Sequence, residues 1–371
     1  MALVLTEEAR LVRESAFDFF REQSPVTALR KLRDTNDPDG FSRGLWRQMA
    51  ELGWTGFLVP EDDGGSGFGM TGLAQVMEAA GRTLAATPLL STALLGASFL
   101  ALAGSDVQKE EFLPPLLAGE HIFALALDEG ARHAPDRIEA RAVRDGAGYR
   151  LSGEKTFVLD GHVADTLIVA ARTDGGVTLF LVPGDAAERT RLSMVDSRNA
   201  ARTRFDDVAL PDSVVLGPVD GGAAILDRVL DRARAGLAAD MLGTASEAFE
   251  RTVQYLKDRR QFGVAIGSFQ ALKHRAATMF CEVEMTRSAV LAAVAALDAD
   301  APEAAALACL AKTKANDTLY LCGNEGVQMH GGIGMTDEHE IGFFLKRARV
   351  AQATFGDSRF TRDRYARAMG Y

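Results

Sequence analysis

Arginine, aromatic and glutamine side chains are concentrated in one short segment, KDRRQFGVAIGSFQALKH, at residues 257–274. Arg259 and Arg260 precede Phe262, and Gly263 ends one helical pattern before the next begins. A pair of guanidinium groups beside a flat ring suits a ligand that carries a phosphate and a planar ring system. The same residues also suit the C-terminus of a helix, where basic side chains interact favourably with the helix dipole. Both interpretations stay open on these residues alone.

A second unusual segment, EGVQMHGGIGMT at residues 325–336, is rich in glycine. Gly331, Gly332 and Gly334 would let a backbone or a ligand approach closely, and the alternative is a tight turn between helices. The GGIG sequence follows a predicted helix rather than a strand, so it is not a dinucleotide-binding fingerprint. The GGSG sequence at residues 64–67 lacks the lysine of a P-loop.

Asp357 is the third position whose residue type raises a question of chemistry. It lies in the sequence ATFGDSRF, directly before a predicted helix with the sequence RFTRDRYARAM. A carboxylate at this place could act as a general base. It could equally accept a hydrogen bond from the free backbone N–H groups at the start of the helix. The Gly-Asp-Ser sequence favours the helix cap.

Composition excludes several classes of protein. The formal net charge is -10, so a general nucleic-acid binder is not expected. The chain starts without a basic segment followed by an apolar block, and its longest apolar run is too short to span a bilayer. Cys281, Cys309 and Cys322 are not in a metal spacing, and no metal site is expected. These features predict a cytoplasmic protein without a membrane span.

The hydrophobic period changes twice along the 371 residues. Residues 1–120 show a helical period, as in TEEARLVRESAFDFFREQ. Residues 121–220 contain short alternating runs separated by Gly, Asp and Pro, which predict a meander of antiparallel strands. Residues 221–371 return to the helical period and begin with one long helix. The sequence therefore predicts an α+β fold with an N-terminal helical domain, a central antiparallel β-domain and a C-terminal helical bundle.

Taken together, RRQFG-x-x-IGSFQALKH and QMHGGIGMT resemble the acyl-CoA dehydrogenase family. LWRQMAELGWTGFLVPEDDGGSG and LSGEKTFVLDGHVADTLIVAAR are similar to its N-terminal and central regions, and the α, β, α order is also the order of the family. The resemblance covers nearly the whole chain. It implies that the C-terminal bundle has four helices and that FAD binds at a subunit interface.

The resemblance also implies which residues contact FAD. The Arg and Phe of R-x-x-F-G reach the cofactor of the neighbouring subunit, the Q-x-x-G-G segment holds the adenine-side phosphates, and two segments of the β-domain lie against the flavin ring. In this chain, the residues so implied are Leu127, Asp128, Phe157, Val158, Arg259, Gln261, Phe262, Gln270, Gln328, Met329, His330, Gly331, Gly332 and Asp357.

The chain departs from the family at the catalytic base. Counting from the paired glycines places Phe355 where the commoner base, a Glu, is expected. Counting back from Arg259 places Ala233 at the second base position, next to Arg234 at the position of the family's arginine. Both usual base positions are therefore apolar. The chain also carries DEGARHAPD at residues 128–136 in place of the usual Thr-Glu-Pro and Gly-Ser-Asp, and Phe-Val-Leu in place of Trp-x-Thr.

Two carboxylates remain as candidate bases. Asp357 lies two residues beyond the usual base and could instead cap the last helix or meet the hydroxyl groups of FAD. Asp240 lies seven residues after Ala233, so it is almost on the same face of the long helix, about 10 Å along the axis. It could line the acyl pocket, or it could pair with Arg234 or Arg232. The catalytic candidates are therefore Asp240, Asp357 and Arg234.

The function that the resemblance implies is α,β-dehydrogenation of an acyl-CoA thioester, in which a carboxylate takes a proton and flavin N5 takes a hydride. Electrons would pass to electron-transfer flavoprotein, and a bulky, branched or sterol-derived acyl group is expected. The protein would be a homodimer or a homotetramer. Alternatively, the chain is the partner subunit of an α2β2 dehydrogenase and has an incomplete site of its own. A flavin oxidase or monooxygenase on the same fold is a third possibility.

Overall fold

A computed structural model describes residues 4–371, and the chain divides into two compact units. The helical unit comprises Met1–Lys31, Met70–Ala85 and Arg234–Tyr371. The sheet unit comprises Leu32–Gly69 and Ala86–Ala233. The division of the chain at residues 120 and 220 that we expected from the sequence stays a prediction.

The helices are α1 (Glu7–Gln23), α2 (Val26–Asp34), α3 (Arg43–Glu51), α4 (Gly69–Arg82), α5 (Ala97–Ala103), α6 (Asp106–Leu117), α7 (Gly222–Asp258), α8 (Gln270–Asp298), α9 (Ala304–His330), α10 (Ile341–Ala353) and α11 (Ser358–Ala368). The strands are β1 (Phe123–Ala126), β2 (Arg141–Asp145), β3 (Gly148–Leu159), β4 (Thr166–Arg172), β5 (Val177–Pro183), β6 (Glu188–Arg191), β7 (Ala200–Pro211), β8 (Val215–Leu216), β9 (Arg260–Gln261) and β10 (Val264–Ala265). The predicted order of N-terminal helices, central sheet and C-terminal helices is confirmed.

Side-chain caps fix where helices of the helical unit begin. The Thr6 hydroxyl accepts a hydrogen bond from the Ala9 N–H at 3.2 Å at the start of α1. Helix α4 is capped by a distant residue, because the Asp298 carboxylate of α8 accepts hydrogen bonds from the N–H groups of Met70 (2.6 Å) and Thr71 (2.8 Å). These carboxylate and hydroxyl oxygens satisfy backbone donors that have no partner within their own helix.

Glycine permits a close crossing between α4 and α7. A methyl group on Gly81 would collide with the backbone carbonyl of Asp240, and one on Gly243 would collide with that of Glu78. The Thr244 hydroxyl donates a hydrogen bond to the Gly81 carbonyl oxygen at 3.0 Å. The two helix backbones are therefore in direct contact at this level, and larger side chains would force them apart.

The central sheet has the order β6-β7-β3-β2-β4-β5-β8, and β1 pairs with β4. The β1–β4 pair is parallel, so the prediction of a purely antiparallel meander was wrong at this strand. A long connection separates β1 from β4, and such a connection permits parallel pairing, which a tight hairpin does not. The Thr92 hydroxyl fixes the start of β1, because it accepts a hydrogen bond from the Phe123 N–H at 3.0 Å.

Within residues 4–371, we find no helix that is both long enough and apolar enough to cross a membrane.

Candidate active site

The Arg-Phe segment forms a hairpin that follows α7. Helix α7 ends at Asp258, and the strands β9 and β10 pair around a two-residue turn made by Phe262 and Gly263. Both turn residues have positive φ, 52° and 80°, which is the conformation of a type I′ turn. We expected the helical pattern to continue as far as Gly263, and this was wrong. The sequence did not indicate this turn, because its first residue is aromatic, whereas type I′ turns favour Asn, Asp or Gly there.

The hairpin presents an aromatic ring to solvent. The Phe262 side chain is 90% exposed, and its ring lies edge-on to that of Phe269 with centroids 6.2 Å apart. Exposed polar residues stand close to it in the chain, namely Arg259, Gln261 and Gln270, and Gln328 of α9 is exposed as well. Two neighbouring exposed rings beside these residues make the hairpin a candidate surface for a ligand or another chain.

The glycine segment makes an open turn after α9. Gly331 has a φ of 66°, and methyl groups on Gly331 or Gly332 would meet no atom of the described residues within 4 Å. Gly334, in contrast, is packed against α9, where a methyl group would lie 2.6 Å from the Val327 carbonyl oxygen. The turn therefore leaves backbone accessible at two positions and is anchored at a third. This arrangement fits the close approach of a phosphate-bearing ligand.

The side chains of Met329 and His330 do not face this opening. Both are buried, with exposed fractions of 5% and 3%. We expected this segment, with both residues, to contact a cofactor, and that expectation stays a prediction. The exposed Gln328 side chain and the backbone of the following glycines are the accessible parts of this segment.

Asp357 caps the last helix, as we predicted. Its carboxylate accepts a hydrogen bond from the Phe360 N–H at 2.8 Å, and its backbone is extended. Phe355, two residues before it, is conformationally strained with a φ of 55°, whereas Gly356 adopts its φ of 113° without strain. The Phe355 side chain, where we expected the usual base position, is buried.

Two buried cations hold the turn that contains Phe355 and Gly356. The Arg234 guanidinium donates to the Phe355 carbonyl oxygen at 3.1 Å. Lys312 donates to the carbonyl oxygens of Gly356 (3.1 Å) and Ala351 (3.0 Å). Our sequence analysis gave Arg234 a catalytic role, which stays a prediction, and the structure shows its contact with the turn. Lys312 was missed, although a lysine within the alanine-rich sequence of α9 was a visible signal.

The surroundings of Lys312 lower its pKa, yet they offer one acceptor for each of the three N–H donors of its ammonium group. Its third acceptor is the Asn316 side-chain oxygen at 2.6 Å, so all three acceptors are uncharged groups. Burial, with a smaller contribution from the neighbouring Arg234 and against the opposing effect of Asp357, lowers the pKa of Lys312 to about 7. The ammonium has three donors for these three acceptors, so the protonated form satisfies every one of them.

Asp240 is buried at the crossing of α4 and α7, with an exposed fraction of 7%. It is therefore not a surface carboxylate. Its proposed role in an acyl pocket stays a prediction.

In the sheet unit, β3 bulges at the position expected to face the flavin ring. The register with β7 shifts between Lys155 and Val158. Phe157 at this bulge has a φ of 53° and is 46% exposed, whereas Val158 is buried. A strained aromatic residue on a bulge is a candidate for function, since both features are enriched at binding sites.

A buried lysine supports this bulge. Lys155 donates to the carbonyl oxygens of Leu127 (3.1 Å) and Ala170 (2.7 Å) and to the Glu129 carboxylate (2.6 Å). Burial lowers the pKa of Lys155, and Glu129 opposes that effect. The residue ties the end of β1 to β4, and our sequence analysis assigned no role to Lys155.

The DEGARHAPD loop is folded onto its own side chains. The Asp128 carboxylate accepts hydrogen bonds from His133 Nδ1 at 3.0 Å and from the Ala134 N–H at 3.1 Å. The Asp128 carbonyl oxygen accepts a hydrogen bond from the Thr156 N–H at 2.7 Å, next to Phe157. Asp128 thus lies beside the bulge, its carboxylate accepts hydrogen bonds within the loop, and its expected contact with the cofactor stays a prediction.

Comparison with known proteins identifies the family. The descriptions "Acyl-CoA dehydrogenase, N-terminal domain" and "Acyl-CoA dehydrogenase, C-terminal domain" match residues 6–120 and 220–370. The probable acyl-CoA dehydrogenase YngJ of Bacillus subtilis (strain 168) is 30% identical over 383 residues, which covers 100% of both chains. The chain belongs to the acyl-CoA dehydrogenase family.

Two solved structures of this family share the whole fold. A variant of the Tcur3481-Tcur3483 steroid ACAD has a TM-score of 0.89 and 31% identity, and 98% of each chain is covered. The ChsE4-ChsE5 complex from Mycobacterium tuberculosis has a TM-score of 0.90 and 27% identity, with 100% of this chain and 99% of that chain covered. The protein is therefore an oxidoreductase of the acyl-CoA dehydrogenase family, a family that depends on FAD.

The helical unit and the sheet unit, which we also call the helical half and the sheet half of the chain, differ in how well their residues fit FAD. The helical half fits, because its glycine turn is open and its hairpin presents an arginine and an exposed ring. The sheet half offers the exposed Phe157 ring. However, its two departures from the family sequence place a carboxylate, Asp128, and an apolar side chain, Leu159, where the family has hydroxyl groups.

Proposed function

We propose that the chain is one subunit of a FAD-dependent acyl-CoA dehydrogenase made of two related chains, and that it contributes its helical half to a cofactor held by the neighbouring subunit. The observation that carries this proposal is the absence of a family base from the sequence. Phe355 and Ala233 occupy the two usual positions, and the nearby Asp357 carboxylate accepts the hydrogen bond that caps α11.

The helical half can bind a cofactor without a catalytic base. The Arg259 guanidinium can pair with a diphosphate, and the exposed Phe262 ring can cover a flat surface. The open backbone at Gly331 and Gly332 accommodates the adenine-side phosphates. FAD, when bound, supplies the acceptor of the hydride that leaves Cβ of the acyl group. In this proposal, the neighbouring subunit supplies the residue that takes the proton from Cα.

The similar proteins favour this two-chain arrangement and a bulky substrate. Both solved structures described above are named as pairs of chains, and one is named a steroid enzyme. We therefore propose a ring-bearing acyl-CoA thioester as the substrate class. We further propose that the electrons pass to an electron-transfer flavoprotein.

The Phe262→Ala variant tests the contribution of the helical half. The chain would be produced with its related partner chain, and bound FAD would be measured by its absorbance after purification. We expect Phe262→Ala to reduce bound FAD at least about tenfold, the effect of losing about 1.4 kcal/mol of binding. The matched control is Phe280→Ala, which removes another exposed ring of the helical unit. Equal FAD content in both variants would contradict the proposal.

A self-sufficient dehydrogenase is the second candidate function. The Asp357 side chain is exposed at the turn that carries the usual base position, and the cations Arg234 and Lys312 support that turn. Asp357 could then take the proton, with Asp240 as the other carboxylate candidate. The chain purified alone, with full FAD and with flavin that is bleached by an acyl-CoA in the absence of oxygen, would support this candidate against the first.

A further inference from the structure

Three aromatic side chains pack together beside the glycine turn, which we define as Gly331–Met335. We call Tyr255, His330 and His339 the ring cluster. The ring centroids of Tyr255 and His330 are 4.3 Å apart, and those of His330 and His339 are 4.6 Å apart. The Tyr255 hydroxyl donates a hydrogen bond to the His330 carbonyl oxygen at 3.2 Å. The cluster thus joins α7, the end of α9 and the segment that precedes α10.

The hydrogen bonds of the cluster define which ring nitrogens carry protons. His330 Nδ1 lies 2.6 Å from the Gly326 carbonyl oxygen, and because a carbonyl only accepts, this nitrogen carries a hydrogen. The Ile341 N–H lies 3.2 Å from His339 Nδ1, so this nitrogen is the acceptor and carries none. Ile341 is the first residue of α10. His339 therefore caps α10, and it can do so only as a neutral imidazole.

The charged neighbours of the cluster oppose protonation of its imidazoles. Burial is the largest cause that lowers the pKa of His330, and both Arg251 and His339 lower it further. Burial also lowers the pKa of His339 most strongly, Arg251 adds to the effect, and Glu340 opposes it. The Glu340 carboxylate is itself paired with Arg251 at 2.7 Å, and this pairing weakens its effect on the pKa of His339. The hydrogen bond to the Gly326 carbonyl oxygen favours the charged form of His330.

We propose that the ring cluster holds the glycine turn in place only while its imidazoles are neutral, so that His339 is a proton-sensitive positioning residue for this turn. Acidification adds a proton from solvent to His339 Nδ1, and the Ile341 N–H then loses its acceptor. A second proton on His330 would bring two cationic rings together beside Arg251. Since the turn directly joins His330 to the segment that carries His339, these changes loosen it. The link to cofactor binding rests on the proposed function, whereas the link between protons and the turn does not.

Hydrogen exchange on the chain alone tests the proposal. The exchange rates of amides in residues 331–341 would be measured at pH 7.5 and pH 5.5 by mass spectrometry, each relative to the intrinsic rate at that pH. We expect protection to fall several-fold between these conditions, up to about tenfold for the uptake of one proton by a group whose ordinary pKa is 6.5. This readout requires neither FAD nor a partner chain, so its failure is separate from a failure of the proposed function.

Three variants separate a proton-sensitive role from a purely structural one. His339→Asn keeps an acceptor for the Ile341 N–H but cannot be protonated. In this variant, the protection of the amides of residues 331–341 should change less than about threefold between the two pH values. His339→Ala removes the cap and should show low protection at both. His274→Asn, an exposed histidine of α8, is the matched control and should behave as the original protein does. Equal protection of the original protein at both pH values would overturn the proposal, as would an unchanged fall in His339→Asn.

Discussion

Each unit of the molecule contains a fully buried lysine, and the two lysines are held in different ways. Lys155 in the sheet unit donates to two carbonyl oxygens and to the Glu129 carboxylate. Lys312 in the helical unit donates to two carbonyl oxygens and to the neutral side chain of Asn316. The first cation has a counter-charge, on the partly buried Glu129, within hydrogen-bond distance, and the acceptors of the second are all uncharged.

Burial lowers the pKa of both lysines, and the difference lies in the strength of the group that opposes this effect. A carboxylate partner favours the protonated lysine, whereas burial and the nearby Arg234 guanidinium bring the pKa of Lys312 to about 7. Lys155 supports the bulge at Phe157, which is one proposed cofactor surface. Lys312 supports the turn that contains Phe355 and Gly356, where we expected the usual base position from the resemblance.

The largest expected effect is on the buried pair of the sheet unit. Glu129→Gln should lower the free energy of unfolding by about 3–5 kcal/mol, because it leaves the Lys155 charge buried without a counter-charge. Tryptophan fluorescence during urea unfolding can measure this, since Trp46 and Trp54 both lie in the sheet unit.

The matched control for this pair is Arg202→Gln. The Arg202–Glu154 pair is more than half exposed on both side chains, so its loss should cost less than about 1 kcal/mol. Similar losses for the buried and the exposed pair would contradict our description of Lys155.

Lys312 should give the helical unit an unusual dependence on pH. Its pKa is about 7 in the folded chain and 10.5 as the ordinary value, so the unfolded chain binds more protons between these limits. Stability should therefore rise with pH from about 7 towards 10, by up to about 1.4 kcal/mol per pH unit for one proton. Urea unfolding followed by circular dichroism at pH 7 and pH 9 can measure the slope.

Lys312→Met should flatten this slope, because the titrating group is gone. Lys314→Met is the matched control, since Lys314 is a partly exposed lysine of the same helix that pairs with Glu282. The control should retain the slope. If Lys312→Met retained it as well, the pH dependence would have another source.

The cap at Asp357 should give the smallest of the three effects. Asp357→Ala should destabilise the chain by about 1 kcal/mol, because the Phe360 N–H loses its acceptor. Asp357→Asn should be nearly neutral in thermal unfolding, because asparagine is also a good helix cap. The same Asn variant would abolish dehydrogenation if Asp357 were the base, so a stable but inactive variant would favour the second candidate function.

Local sequence signals predicted much of the fold. The change from a helical to an alternating period marked the central sheet, and Asp357 before the last helix was correctly interpreted as a cap. These features depend on residues close together in the chain, where capping and periodicity act directly. The hairpin at Phe262 was missed, because an aromatic residue with positive φ is a rare first residue in a type I′ turn.

The polar groups beneath the candidate site could not be predicted in this way. The acceptors of Lys312 at Ala351 and Gly356, and that of Lys155 at Ala170, are backbone atoms that other elements bring close. Their positions depend on tertiary packing, and a backbone carbonyl has no signal in the sequence. The resemblance to the family gave the positions of the expected cofactor contacts, but not that the side chains of Met329 and His330 are buried.

The FAD content of the purified chain tests the central claim most directly. The chain would be produced alone and then together with its related partner chain, and bound FAD per subunit would be determined from the flavin spectrum. Our account predicts little FAD on the chain alone and bound FAD in the two-chain assembly. One FAD per subunit on the chain alone, bleached by an acyl-CoA without oxygen, would contradict it.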